Sequence, residues 1–180
     1  MVYLFLANGF EEIEALCPLD LLRRAGVEVT TVGVGGAESV MGAHGICVQA
    51  DIPDTIYRDS KPEMIILPGG MPGSKNLDES RVVDTALRAA HASGAYLAAI
   101  CAAPMVLGHR GYLKNKHAIC FPGFEDQLDG ATIADSRVVR DGNIITAAGM
   151  GVALEFGLEL VSVLKGKDAA EQLRRAVLAD

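Results

Sequence analysis

The stretch Leu97-Ala98-Ala99-Ile100-Cys101-Ala102-Ala103-Pro104 is the part of the sequence that decides the fold. A continuous apolar run over 96–100 is typical of a buried strand, and the residues over 102–108 suit a helix. Small neighbours on both sides of Cys101 are what a sharp strand-to-helix turn requires, because bulky side chains would clash there. Free N–H groups near such a helix start stabilise a thiolate. The stretch therefore predicts a reactive Cys101, while the alternative that this cysteine only fills the core stays open.

Outward from this turn, the chain alternates strand and helix patterns, which is typical of an α/β fold with a mostly parallel sheet. Asp141-Gly142 is a strong hairpin signal. We expect one domain over 1–180, since no linker or internal repeat interrupts the pattern. The patterns predict strands over 2–7, 28–33, 47–50, 64–67, 96–100, 137–140 and 143–147, and helices over 11–25, 79–92, 102–108, 152–164 and 167–177.

Composition restricts the classes of partner. The 180 residues carry a net charge of −7 and contain no run of Lys and Arg, which argues against tight binding of nucleic acid. No apolar run approaches the roughly 18 residues of a membrane span, and the first residues lack the basic region of a signal peptide. The four cysteines, in apolar surroundings, show no metal-ligand spacing. These features predict a cytoplasmic protein with reduced, buried thiols and no metal.

Two further segments carry candidate site residues. Pro68-Gly69-Gly70 follows a buried strand, and ligands of open α/β sheets bind beyond the carboxyl ends of strands. Glu14 lies at the border of the apolar face of the first helix, where a partly buried carboxyl can stay protonated and donate a hydrogen bond to a thiolate. Glu11 and Glu12 favour a structural role at the helix start. His44, in a glycine-rich connection, can reach a pocket, but a surface position is the preferred interpretation.

Several motifs together resemble the ThiJ/PfpI superfamily, in its branch of Parkinson disease protein deglycase and YajL-like proteins. The resemblance covers essentially the whole chain, and the opening Glu-Glu-x-Glu and the run around Cys101 are its most specific parts. The matching segments are Ala7-Asn8-Gly9-Phe10-Glu11-Glu12-Ile13-Glu14, Pro18-Leu19-Asp20, Leu22-Arg23-Arg24-Ala25-Gly26, Leu67-Pro68-Gly69-Gly70, Asn76-Leu77, Ala98-Ala99-Ile100-Cys101-Ala102-Ala103-Pro104 and Phe156-Gly157-Leu158-Glu159-Leu160-Val161.

The resemblance implies a flavodoxin-like three-layer sandwich, a homodimer and a defined site. It places the nucleophile at Cys101, the protonated glutamate at Glu14, and the oxyanion donors at the backbones of Gly70 and Ala102. Gly69 and His44 are further candidates for substrate contact.

Two departures from the family pattern bear on activity. Ala102 stands where the proteolytic branch has a histidine, which argues against peptidase activity. Phe121 stands where the human-type member has a histidine before a proline, so no base is evident beside Cys101.

The resemblance implies an enzyme that acts on reactive dicarbonyls such as methylglyoxal or glyoxal, or on their early glycation adducts, and that releases a hydroxy acid. This deglycase or cofactor-independent glyoxalase activity needs neither a metal nor an organic cofactor. The alternative is a redox-sensing stress protein or chaperone that uses oxidation of Cys101, with little or no turnover. The expected partners are a small aldehyde or a glycated protein or metabolite.

A homodimer is also expected from the first helix. Ile13, Leu16, Cys17 and Leu21 share one face, and Leu19 and Leu22 point away from it. We therefore predict that Leu19 and Leu22 lie on an outer side that a second copy covers.

Overall fold

A computed structural model describes residues 1–59 and 61–179 of the chain. Seven strands form one sheet in the order β10-β11-β7-β6-β1-β2-β5, and two small two-stranded sheets stand beside it. Neighbouring strands of the large sheet are parallel except for the β10–β11 hairpin. The strands are β1 Val2–Leu6, β2 Val29–Gly33, β3 Ser39–Met41, β4 Cys47–Gln49, β5 Ile52–Pro53, β6 Met64–Leu67, β7 Tyr96–Ile100, β8 His117–Ala118, β9 Thr132–Ile133, β10 Val138–Asp141 and β11 Ile144–Ala147.

Helices cover both faces of this sheet, which gives the three layers that the sequence predicts. Successive residues of a strand point to opposite faces: Leu4 and Leu6 enter a core with α1 and α5, whereas Phe5 enters a second core with α3 and α4. The α-helices are α1 Glu12–Arg24, α2 Gly73–Glu79, α3 Arg81–Ser93, α4 Pro104–Gly108, α5 Ala153–Lys165 and α6 Lys167–Ala176.

Most predicted elements lie where the patterns placed them, but two segments differ. The predicted helix over 79–92 begins at Arg81, because the Ser80 side chain caps it by accepting the N–H of Val83. A short helix that the sequence did not indicate, α2, precedes it. The glycine-rich connection also contains β3, which pairs with β4 in an antiparallel hairpin.

The predicted outer face of the first helix is wrong. Leu19 and Leu22 are buried, whereas Ile13 is 49% exposed. The reason is close packing of α1 on α5: a β-carbon at Gly157 would lie 3.0 Å from the Cα of Pro18. Because α1 packs both on the sheet and against the neighbouring α5, it buries a wide face that includes both leucines.

The thiols are less buried than predicted. Cys120 is buried, Cys17 and Cys101 are half-buried, and Cys47 is exposed on β4. Across residues 1–59 and 61–179, we find no helix with both the length and the apolar character needed to cross a membrane.

Candidate active site

Cys101 lies on a strained turn between β7 and α4. Its φ of 64° is in the left-handed region, which costs a non-glycine residue roughly 1 kcal/mol or more. Two backbone hydrogen bonds hold it there: the Cys101 N–H donates to the Ala147 carbonyl (2.9 Å), and the Phe121 N–H donates to the Cys101 carbonyl (2.8 Å). Ala147, at the end of β11, and Phe121 therefore hold Cys101 on the sharp turn that its small neighbours predict.

Gly69 brings Glu14 and Cys101 together. Its N–H donates to Glu14 Oε2 at 2.9 Å. A β-carbon at Gly69 would lie 2.6 Å from the Cys101 β-carbon and would also collide with Glu14 Oε2. The carboxyl and the cysteine thus flank a position that only glycine can occupy.

Two backbone N–H groups point at the sulfur of Cys101. They belong to Gly70 and Ala102, and both favour the charged thiolate. Gly70 has a φ of 86°, and a β-carbon there would lie 2.6 Å from the Gly9 carbonyl oxygen, so this turn also requires glycine. The geometry is that of a pair of donors able to hold an oxygen anion formed beside the sulfur.

Burial and mutual repulsion decide the titration of the pair. Burial and the nearby Glu11 charge, opposed by hydrogen bonds from Cys101, Gly69 and Met150, raise the pKa of Glu14 to about 7. Burial and the adjacent Glu14 carboxylate raise the pKa of the Cys101 thiol to about 12, against the Gly70 and Ala102 N–H groups. Glu14 is therefore present in both protonation states near neutral pH, and an ionised Glu14 keeps the thiol protonated.

His44 is directed to Glu12. Its ring Nδ1 lies 2.8 Å from Glu12 Oε2, and its N–H donates to Glu12 Oε1 at 2.7 Å. Glu11, Glu12 and His44 bring three possible metal-ligand atoms within 4.8 Å of one another. The Glu11 carboxylate, however, accepts the Glu14 N–H as a helix cap, which is the structural role expected of it.

Residues 148–150 are part of the site that sequence reasoning missed. The backbone N–H of Met150 favours the ionised form of Glu14, and a β-carbon at Gly149 would lie 3.9 Å from Glu14 Oε1. The same β-carbon position at Gly149 is 3.2 Å from the ring of Phe121. Phe121 stands where the human-type family member has a histidine. Gly149 directly after a buried strand was the available signal.

The DJ-1/PfpI family model matches residues 1–163. The chain belongs to this family. Protein dj-1beta of Drosophila melanogaster is 37% identical over 175 residues, which are 96% of this chain and 94% of that protein. The glutathione-independent glyoxalase of Caenorhabditis elegans is 34% identical, over 91% of this chain and 87% of its own.

Solved structures agree with this membership. Oxidized Toxoplasma gondii DJ-1 matches with a TM-score of 0.94 and 36% identity, over 98% of this chain and 97% of that chain. The resemblance and the flavodoxin-like α/β fold inferred from the sequence are thereby confirmed.

Proposed function

We propose that the protein is a cysteine-dependent enzyme that converts reactive dicarbonyls such as methylglyoxal or glyoxal, or their early glycation adducts, into hydroxy acids. The observation that carries the proposal is the Glu14 carboxyl and Cys101 on either side of Gly69, with two N–H donors at the sulfur. The C. elegans relative that is named a glutathione-independent glyoxalase adds support.

The raised pKa values define the first step. An ionised Glu14 takes the thiol proton as the sulfur of Cys101 bonds to the aldehyde carbon. The Gly70 and Ala102 N–H groups stabilise the oxygen anion, which then takes a proton.

The second half needs no outside oxidant. Glu14 moves the proton of the former aldehyde carbon to the neighbouring keto carbon, and the hydroxyl proton on the former aldehyde oxygen passes to the keto oxygen, which leaves a thioester of the hydroxy acid. Water then hydrolyses the thioester, releasing lactate from methylglyoxal and restoring the thiol. These reaction steps use no metal or organic cofactor.

Lactate release from methylglyoxal tests the proposal. Wild type is expected to release lactate, and Cys101→Ala to release none above the uncatalysed rate. Cys47→Ala is the matched control, since Cys47 is exposed on the β3–β4 hairpin, and it should retain activity. Equal rates in wild type and Cys101→Ala would refute the mechanism.

The second candidate is a redox-sensing stress protein or chaperone in which peroxide oxidises Cys101. A solved relative, the Toxoplasma gondii protein, is described as oxidized, which favours this candidate. The raised pKa of Cys101 disfavours it, because the thiolate is the form that peroxide attacks. Intact mass after mild peroxide discriminates: a sensor gains two oxygens at Cys101 before another thiol reacts.

We also propose a homodimer, on different residues from those the sequence indicated. Exposed Ile13 on α1 and exposed Leu154 on α5 lie on two helices that pack together, and Ile46 is exposed on the adjacent hairpin turn. These side chains form an apolar surface of the kind that protein partners cover. Sedimentation should give twice the 18.9 kDa monomer, and Ile13→Glu should shift it towards monomer. A wild-type monomer at micromolar concentration would refute the dimer.

The remaining expectations follow from this chemistry. Small aldehydes, glycated metabolites and glycated proteins are the proposed substrates, and the cytoplasm is the proposed location. Peptidase activity is not proposed, because Ala102 and Phe121 occupy the two positions where a histidine would supply a base.

A further inference from the structure

A groove of about 320 Å³ lies along the end of β11, next to the Glu14–Cys101 pair, with Gly149 between the groove and Glu14. The β-carbon position of Gly149 is 3.9 Å from Glu14 Oε1 and 3.2 Å from the Phe121 ring. The lining side chains are those of Phe121, Pro122, Arg137, Met150 and Val152.

The wall nearest to Glu14 is apolar. Phe121 is 49% exposed and Met150 is 53% exposed, although both lie beside a buried carboxyl. An exposed aromatic ring and a thioether offer contact to the apolar part of a ligand.

Arg137 supplies a positive charge to the same groove. Its Nη2 donates to the Gly151 carbonyl at 3.1 Å, and its own carbonyl accepts the Ala148 N–H at 2.9 Å, so it is tied to the groove at two points. Within 1–59 and 61–179, no carboxylate lies within 4 Å of its guanidinium. Since a guanidinium has five N–H donors, several remain for a ligand.

Arg140, which lies on β10 three residues after Arg137, differs from it in its partners. Its guanidinium is 3.8 Å from Glu159, bonds the Tyr96 hydroxyl at 3.4 Å and lies over the Tyr96 ring. Arg140 thus already has a carboxylate and an aromatic partner, whereas the charge of Arg137 faces the groove without one.

We propose that this groove selects substrates with an apolar body and a carboxylate, which Arg137 binds while Phe121 and Met150 contact the apolar part. Resting on the proposed function, this inference names the substrate class as dicarbonyl adducts of apolar amino acids or of peptide C-termini. Such a ligand places its reacting carbon at Cys101 and its carboxylate in the groove.

Protection of the thiol tests the proposal without any turnover. Wild type is alkylated with iodoacetamide in the presence of 3-phenylpropanoate or of 3-phenylpropanamide, which differ only in the charge. Modification of Cys101 is measured peptide by peptide, and the exposed Cys47 is the internal control. The acid should protect Cys101 at about tenfold lower concentration than the amide, the size of one charge-assisted hydrogen bond.

Variants locate the effect. Arg137→Met should remove the preference for the acid while leaving protection by the amide unchanged, and Arg137→Lys should retain part of it. Arg140→Met is the matched control and should keep the full preference. Phe121→Ala should weaken protection by both compounds.

Three results would overturn the inference: equal protection by acid and amide in wild type, a preference that survives Arg137→Met, or equal protection of Cys47. Failure of the proposed function is seen separately, as equal lactate release by wild type and Cys101→Ala.

Discussion

Glu12 and Glu14 lie on the same helix, are both buried, and titrate in opposite directions. Glu12 is 3% exposed and its pKa is lowered, whereas Glu14 is 1% exposed and its pKa is raised to about 7. Both side chains are covered from solvent, but Glu12 lies under the surface turn at 44–46 and Glu14 lies deeper, beside Cys101, so burial acts more strongly on Glu14.

The difference lies in the depth of burial and in the hydrogen-bond partners. Burial raises the pKa of Glu12, but the His44 ring and the N–H groups of His44 and Ile46 lower it further than burial raises it. Burial also raises the pKa of Glu14, and there Cys101, Gly69 and Met150 do not outweigh it, while the Glu11 charge adds to the rise. A carboxylate whose hydrogen bonds outweigh the cost of burial stays ionised and stabilises the fold. A carboxyl with too few hydrogen bonds for its burial changes protonation state near neutral pH and is available for proton transfer.

The largest expected effect separates the two carboxyls by activity. Glu14→Gln should lower lactate release about 10²–10⁴-fold, because the amide cannot accept the thiol proton. Glu12→Gln should retain most of the activity, since Glu12 bonds only the 44–46 turn and its own helix. An equal loss in both variants would break the distinction between a catalytic and a structural carboxyl.

The pH dependence of the unfolding free energy should also separate Glu14 from Glu12. The pKa of Glu14 is raised from 4.5 to about 7, so its stabilisation is complete below pH 4.5 and is lost as the pH rises through about 7. Urea unfolding should show that the unfolding free energy of wild type falls by about 3 kcal/mol relative to that of Glu14→Gln between pH ~5 and ~8.

Glu12 should behave in the opposite way. Its pKa is lowered, so its stabilisation is present above the ordinary pKa of 4.5 and is lost as the pH falls through the lowered value. Parallel curves for Glu12→Gln and Glu14→Gln would contradict the opposite shifts.

The thiol reports on the charge of Glu14. Burial keeps the pKa of Cys101 high in every variant, but Glu14→Gln removes the second cause, the adjacent charge, and keeps a donor. The thiol pKa should fall by about one unit or more in Glu14→Gln, and by less in Glu14→Leu, which lacks the donor. The measurement is the alkylation rate of Cys101 against pH. Superimposed curves for the three proteins would show that Glu14 does not affect the pKa of the Cys101 thiol.

The smallest effect is expected at His44. Its side chain is 70% exposed, and Glu12 keeps the backbone N–H groups of the turn when the ring is removed. His44→Ala should therefore lower the melting temperature less than Glu12→Gln does. Glu12 raises the pKa of His44, so the difference from wild type should fade as the pH rises through that pKa. A larger fall in melting temperature in His44→Ala than in Glu12→Gln would mean that the His44 ring has a second partner.

Local patterns predicted the sharp turn at Cys101 and the burial of Glu14, and the structure has both. Small residues around Cys101 indicated the turn, and the spacing from Glu14 to Pro18 and Leu21 placed that carboxyl on a buried face. The same pattern failed for Leu19 and Leu22, because helical spacing alone does not show that α1 is covered by both α5 and the sheet. It also missed Met150, whose contribution is a backbone N–H and so leaves no trace in residue type.

The sequence by itself determined the alternation of the main strands and helices, the turn at Cys101 and the glycines beside it, since each depends on neighbours in the chain. The sequence singled out Glu14, but only the tertiary structure decided that the pKa of Glu14 is raised and that of Glu12 is lowered. The groups that settle the two pKa values come from distant segments: His44 is 32 residues from Glu12, and Gly69 is 55 residues from Glu14. Folding places a surface hairpin turn with several donors on Glu12 and buries Glu14 more deeply beside a glycine turn and a thiol, and these differences in depth and in hydrogen bonding set the two pKa values apart.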